Sequence, residues 1–353
     1  MQRWVYGILG ASVLSCAGAL LWPAPVESVA VDVAPHEASR WSPAPWFADA
    51  RRVPISGGQG PEDVEVDDAG RVFAGLHDGR ILRWDDIEAE PVVLTNTGGR
   101  PLGLHWGPNG ELWVADALAG LLGVDPDSGE WRVLTTRCGG RPLVFTDDLE
   151  VTRDGTAFFT DASQRYDQPH WRLDLIEGQA TGRLCRWREG WEEAAQVHGG
   201  LAFANGVALD PFERFVLVAE TARHRIFRLW IAGPRKGEEE IVIDDLPGYP
   251  DGISTGTDGV FWVALASPRK PELDALGPLP WVRDQIAKLP SWMQPGPART
   301  ARVLGIDAEG NVLHDHLDPT GQSIHVVTSV QERGGFLWFG SLVDEALARA
   351  RRP

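Results

Sequence analysis

Apolar positions alternate with polar ones in short runs along most of this chain, and the runs come in pairs. EDVEVDDAGRVFAGLHDGRILRWD from Glu62 sets a Val-rich run, a polar turn, and then further runs rich in Val, Phe and Leu. The phrase returns as PLGLHWGPNGELWVADALAGLLGVD from Pro101, DDLEVTRDGTAFFTDAS from Asp147, NGVALDPFERFVLVAETARHRIFRLW from Asn205 and DGISTGTDGVFWVAL from Asp251. A looser copy, SIHVVTSVQERGGFLWFGSL, begins at Ser323. Period-two alternation bounded by Gly, Asp or Pro predicts strands, and the better copies add a third. The first four of the five intervals are roughly 40–58 residues, the size of a propeller blade, and the fifth is longer. A four-stranded blade cannot bury both faces alone, whereas six around an axis bury them against one another. The expected fold is an all-β six-bladed β-propeller over residues 57–353, with Pro45 to Ser56 supplying a strand that closes the last blade.

Two segments break the pattern. RKPELDALGPLPWVRDQIAKLPSWMQPG, from Arg269, reads as a helical or irregular insertion near 269–297. Its Trp281, Ile286 and Trp292 suit a packed surface loop, a cover over the propeller, or an approach to a membrane. At the amino end, WVYGILGASVLSCAGALLW (Trp4 to Trp22) carries no charge and is long enough to span a bilayer. Arg3 before it, and Glu27, Asp32 and Glu37 after it, predict a cytoplasmic amino end and an exported body. Residues 1–24 are therefore read as a signal anchor, with a cleaved secretory signal as the rival. Cys16 also fits a loose lipidation site. Residues 25–56 become linker and closing strand, and the propeller is periplasmic or otherwise extracytoplasmic, bilayer-tethered or secreted.

Composition narrows the function classes. Forty glycines and 26 prolines favour a turn-rich architecture, and a formal charge of -17 without a basic patch argues against a nucleic-acid partner. Cys138 and Cys185 fall in the exported portion, where pairing is permitted, and no Cys-x-x-Cys or histidine set accompanies them. No phosphate loop, nucleophile elbow or dinucleotide fingerprint is present.

The repeat itself points to a site. Inner strands begin near a propeller's central channel, so Glu62, Asp147 or Asp148, Asn205 and Asp251 can converge there. Crowded carboxylates repel one another, and a divalent cation removes that cost. Hard oxygen donors suit calcium rather than zinc. At any single position, capping of a turn is the alternative.

FANGVALDPFERFVLVAETARHRIFRLWIAGPRKGEEEIVIDDLPGYPDGI resembles the strictosidine synthase-like family, which includes adipocyte plasma membrane-associated proteins. More distantly, the chain is similar to calcium-dependent gluconolactonases, diisopropyl fluorophosphatase and paraoxonases. The resemblance implies a six-bladed propeller with Ca2+ at the top of its tunnel, held by Glu62, Asp147, Asn205 and Asp251. Asp147 stands where the family more often has asparagine, and Asp148 becomes a supporting or alternative carboxylate. The implied activity is calcium-dependent hydrolysis of small esters or lactones, with Asp251 activating water or attacking directly. His105 and His325 lie on inner-strand copies and His198 precedes FANG, so each is a weaker candidate for proton transfer. Two other readings remain: a synthase-like amine–aldehyde condensing enzyme using Glu332, and a non-catalytic propeller that binds a ligand or protein. Trp106, Phe145, Tyr166 and Trp171 are candidate apolar contacts for the substrate.

Overall fold

The computed structural model describes residues 22–353, so most of the expected signal segment at 1–24 lies outside the described residues. Among the described residues no helix is long and apolar enough to cross a membrane. Six antiparallel sheets form the blades of a β-propeller. Their inner strands are Val64–Val66, Pro101–Trp106, Thr146–Val151, Ala204–Leu209, Gly248–Thr255 and Val327–Arg333, for blades 1 to 6. In the sixth sheet the outermost strand is amino-terminal: Arg51–Pro54 pairs antiparallel with Ala346–Arg351, so the two ends of the chain close the ring. The Arg52 guanidinium clamps this junction by pairing with the buried Asp344 carboxylate. Ala44–Pro45 adds a parallel edge to blade 5.

The alternating pattern explains the core. Apolar clusters lie between successive blades, for example Phe215, Ile226 and Ile243 of blade 4 against Phe261, Val263 and Leu304 of blade 5. Val53 and Leu347 of blade 6 likewise meet Val64, Val72 and Trp84 of blade 1. Each strand thus sends its apolar set to one neighbour or the other, which a single-sided sheet would not need. Burying an aromatic or aliphatic side chain in this way stabilises by about 1.5–3 kcal/mol.

Two insertions sit on the same end of the barrel. Strand two of every blade runs antiparallel to the inner strand, so it finishes beside the place where the inner strand starts; Thr146 pairs with Asp161, and Gly248 with Pro268. The segments leaving those points carry helix α1 (Trp171–Glu177), a short α2 (Pro271–Asp274) and α3 (Pro280–Ala287). The amino-terminal strap is tied to them: Val29 N–H donates to Glu177 O at 3.0 Å and Val31 N–H to Gly277 O at 2.9 Å. Cys138 and Cys185 form a disulfide that joins the hairpin after blade 2 to the third strand of blade 3.

Candidate active site

The inner strands of blades 2 to 6 start with a defect, whereas that of blade 1 pairs regularly. Pairing slips between Thr146 and Leu149, between Ala204 and Val207, and between Pro250 and Ile253. Such bulges re-aim side chains, and these hold Asp147, Asn205 and Asp251. The residue that follows must be small where blades touch: a Cβ on Gly206 would stand 2.5 Å from Asp251 O, and one on Gly252 2.5 Å from Thr328 O. In blades 1 and 3 an acid replaces that glycine and serves as a clasp. Asp63 accepts from Leu104 N–H of blade 2 at 2.9 Å, and Asp148 from Val207 N–H of blade 4 at 2.8 Å. Asp148 thereby joins blades 3 and 4 directly beside Asp147.

Glu62, Asp147, Asn205 and Asp251 all line one cavity of about 200 Å3 beneath the helical insertions. Its walls are largely apolar, with Phe145, Trp171, Phe203, Tyr249, Leu273 and Ile286 prominent. Burial drives the Asp147 carboxyl well above the ordinary carboxylate range, and the charges of Glu62, Asp251 and Asp148 add to it. Asp251 is raised likewise by burial, then by Glu62 and Asp148, against the opposing hydrogen bond from Asn205. Among the described residues no donor reaches the Asp147 side chain, while the nearly inaccessible Arg100 pairs with Glu62. Arg100 also donates to Gly60 O at 2.8 Å. Burial still outweighs that guanidinium and raises Glu62. As the side chains stand, no three histidine, cysteine or acidic residues among those described form a metal-holding group.

The remaining candidates separate. His105 lies deeper in the tunnel, its Nε2 3.6 Å from Glu150, and burial followed by the Arg333 charge lowers it to about 4. His198 pairs with Glu239 on the outer strands, and His325 with Asp344. Glu332 is not a cavity residue: it accepts from Thr257 Oγ1 at 2.5 Å and Trp262 Nε1 at 2.8 Å, and pairs with Arg352. The geometry therefore places it away from any substrate in the cavity. Phe145 and Trp171 are wall residues, whereas Trp106 packs edge-on to Phe73 and the Tyr166 hydroxyl donates to Glu177.

Two residues had little sequence signal, one behind Glu62 and one in the cavity wall. Arg100 precedes an apolar strand with nothing to mark its partner. His224, in TARHR, takes a left-handed conformation; its Nδ1 lies 2.9 Å from Gly248 O and its Nε2 3.6 Å from Asp274 on α2.

Family comparison agrees with this architecture. A profile described as strictosidine synthase matches residues 147–234, and one described as strictosidine synthase-like, N-terminal, matches 41–84. The chain is 34% identical to protein strictosidine synthase-like 13 of Arabidopsis thaliana, over 83% of this chain and 78% of that one. It is 35% identical to adipocyte plasma membrane-associated protein of Gallus gallus, over 82% and 75% respectively. Among solved structures, a gluconolactonase from Xanthomonas campestris superposes with a TM-score of 0.63 at 16% identity, covering 94% of this chain and 97% of that one. A calcium-binding protein, regucalcin, from Agrobacterium tumefaciens gives 0.59 at 14% identity, covering 88% and 95%. At such identities these two likenesses speak to the fold.

Proposed function

We propose that this chain, which belongs to the strictosidine synthase-like family, is a calcium-dependent hydrolase of small esters or lactones, held outside the cytoplasm by its amino-terminal segment. The observation that carries the reading is the convergence of Glu62, Asp147, Asn205 and Asp251 on the floor of one apolar cavity. The donors fit a hard divalent cation in kind: oxygen only, mutually repelling, with Asp147 left without a hydrogen-bond donor. Asp147, Asn205 and Asp251 would hold the ion, and Glu62 would join them on exchanging Arg100. Bound there, calcium would supply polarisation of the substrate carbonyl and countercharge for developing negative charge.

The chain's own groups do the rest. Phe145, Trp171 and Phe203 exclude water and hold the apolar part of the ester, in a volume that limits it to a small molecule. Asp251, oriented by the Asn205 amide, is the carboxylate that takes the proton from an attacking water. Glu332, occupied by Trp262 and Arg352, supplies no such group for a condensing reaction. The test is hydrolysis of phenyl acetate and a panel of γ- and δ-lactones, with calcium and with excess chelator. Turnover should appear with calcium and fall at least a hundredfold in Asp251→Ala. Equal rates with chelator, or an unimpaired variant, would refute the assignment.

A further inference from the structure

The cover over the cavity carries more apolar surface than the cavity uses. Arg283 and Ile286 of α3 line the cavity and Ala287 is buried beneath it. The same insertion also exposes apolar side chains: Trp281 of α3 is 66% exposed, and in the flanking segments Trp292 is 81% exposed and Leu279, Leu289 and Met293 are open to solvent. A surface segment normally turns polar residues to water, and a group of exposed apolar side chains marks an interaction site. Of these five, Trp281 lies in α3, while Leu279 immediately precedes the helix and Leu289, Trp292 and Met293 follow it within six residues.

The start of the described chain points to the partner. Trp22, 74% exposed, begins a strap that is fastened at once to the same insertion. Ser28 N–H donates to Asp284 at 3.2 Å and Arg283 to Val29 O at 2.8 Å. The strap that follows the charge-free sequence run is therefore fastened to α3, the helix that carries Trp281.

We propose that the face formed by Trp281, Trp292 and their apolar neighbours lies on the surface of a lipid bilayer, with the cavity mouth turned toward the membrane. Tryptophan favours the headgroup boundary, where its ring is buried and its N–H stays wet. A net charge of -17 opposes an anionic surface, so the attraction is hydrophobic and a zwitterionic bilayer suffices. A corollary, which rests on the ester or lactone reading above, is that the substrate is an amphiphile drawn from lipid into the Phe145–Trp171 cavity.

The test uses the full-length chain on phosphatidylcholine vesicles, with and without brominated acyl chains, read by tryptophan fluorescence. The Phe variant W281F/W292F keeps the surface apolar and removes two fluorophores. It should lose at least half of the bromine-dependent quenching, and 0.5 M salt should change the parent's signal little. Equal absolute quenching in both proteins would overturn the proposal, whether residues 1–21 or a second copy covers the face. A vesicle-free dimer in sedimentation, broken in W281S/W292S, would also overturn it. Neither readout needs turnover, so a quenched but inactive protein counts against the hydrolase and not against docking. For the corollary, W281S/W292S should hydrolyse a vesicle-embedded ester at least fivefold more slowly and phenyl acetate at the parent's rate. An equal loss on both would refute it.

Discussion

Asp147 is the most informative single residue, because it adds a third carboxylate where an amide would do. Its raised pKa, due to burial and then to Glu62, Asp251 and Asp148, is a cost to the metal-free fold. Asp147→Asn should therefore stabilise the metal-free protein by about 1–2 kcal/mol in urea unfolding and weaken calcium binding at least tenfold. A variant that loses stability would show that the carboxylate is already compensated. Glu65 gives an independent check. Burial raises it to about 8, with Asp63 adding to the rise and Gln331 donating to it at 2.9 Å. The folded state thus binds a proton that the unfolded chain has released above its ordinary value near 4.5. The associated stability is present below about 4.5 and is lost as pH rises toward 8. Glu65→Gln should accordingly raise Tm at pH 8 and leave it nearly unchanged at pH 4. The floor residues were legible because one phrase repeats with an oxygen side chain at its start. Depth along a strand was harder to read: Glu332 lies four residues past Thr328, about 13 Å further down an extended chain. Arg100 and His224 carry no spacing that announces their partners.

At the scale of elements, alternation sufficed for the blades because every strand is sandwiched and must satisfy two apolar neighbours. The bulges were not written as one pattern: those at Asn205–Gly206 and Asp251–Gly252 sit where adjacent backbones come too close for a side chain, whereas the one in blade 3 holds Asp147–Asp148. The insertion after Arg269 was visible as a break in period, but the one containing α1 was not, since DQPHWRLDLIEG is too short to establish a helical repeat. The disulfide could be allowed by compartment only, as 47 residues separate its cysteines. It now ties an outer hairpin to blade 3 and closes a long loop. Replacing both cysteines with alanine should cost about 2–4 kcal/mol in chemical denaturation, with a higher m-value because the unlinked chain unfolds to a more open state. A loss below 0.5 kcal/mol would mean that the hairpin is held by other contacts, such as the Arg183 guanidinium donating to Cys138 O and Pro142 O.

At the scale of the molecule, ring closure by Arg51–Pro54 makes the fold depend on pairs as far apart in sequence as Arg51 and Arg349, while the strap fastens the amino end over the cavity. One end of the tunnel therefore gathers the acidic floor, the apolar walls and the cover. The central claim is that this floor exists to hold a cation. It is tested most directly by titrating calcium calorimetrically into metal-stripped, full-length protein at pH 7 in two buffers of different ionisation enthalpy. Because burial and mutual repulsion raise Asp147 and Asp251, one ion per chain should bind saturably and release protons, and Asp251→Ala should abolish the binding. A folded protein that takes up no calcium, or binds it unchanged in Asp251→Ala, would contradict the account.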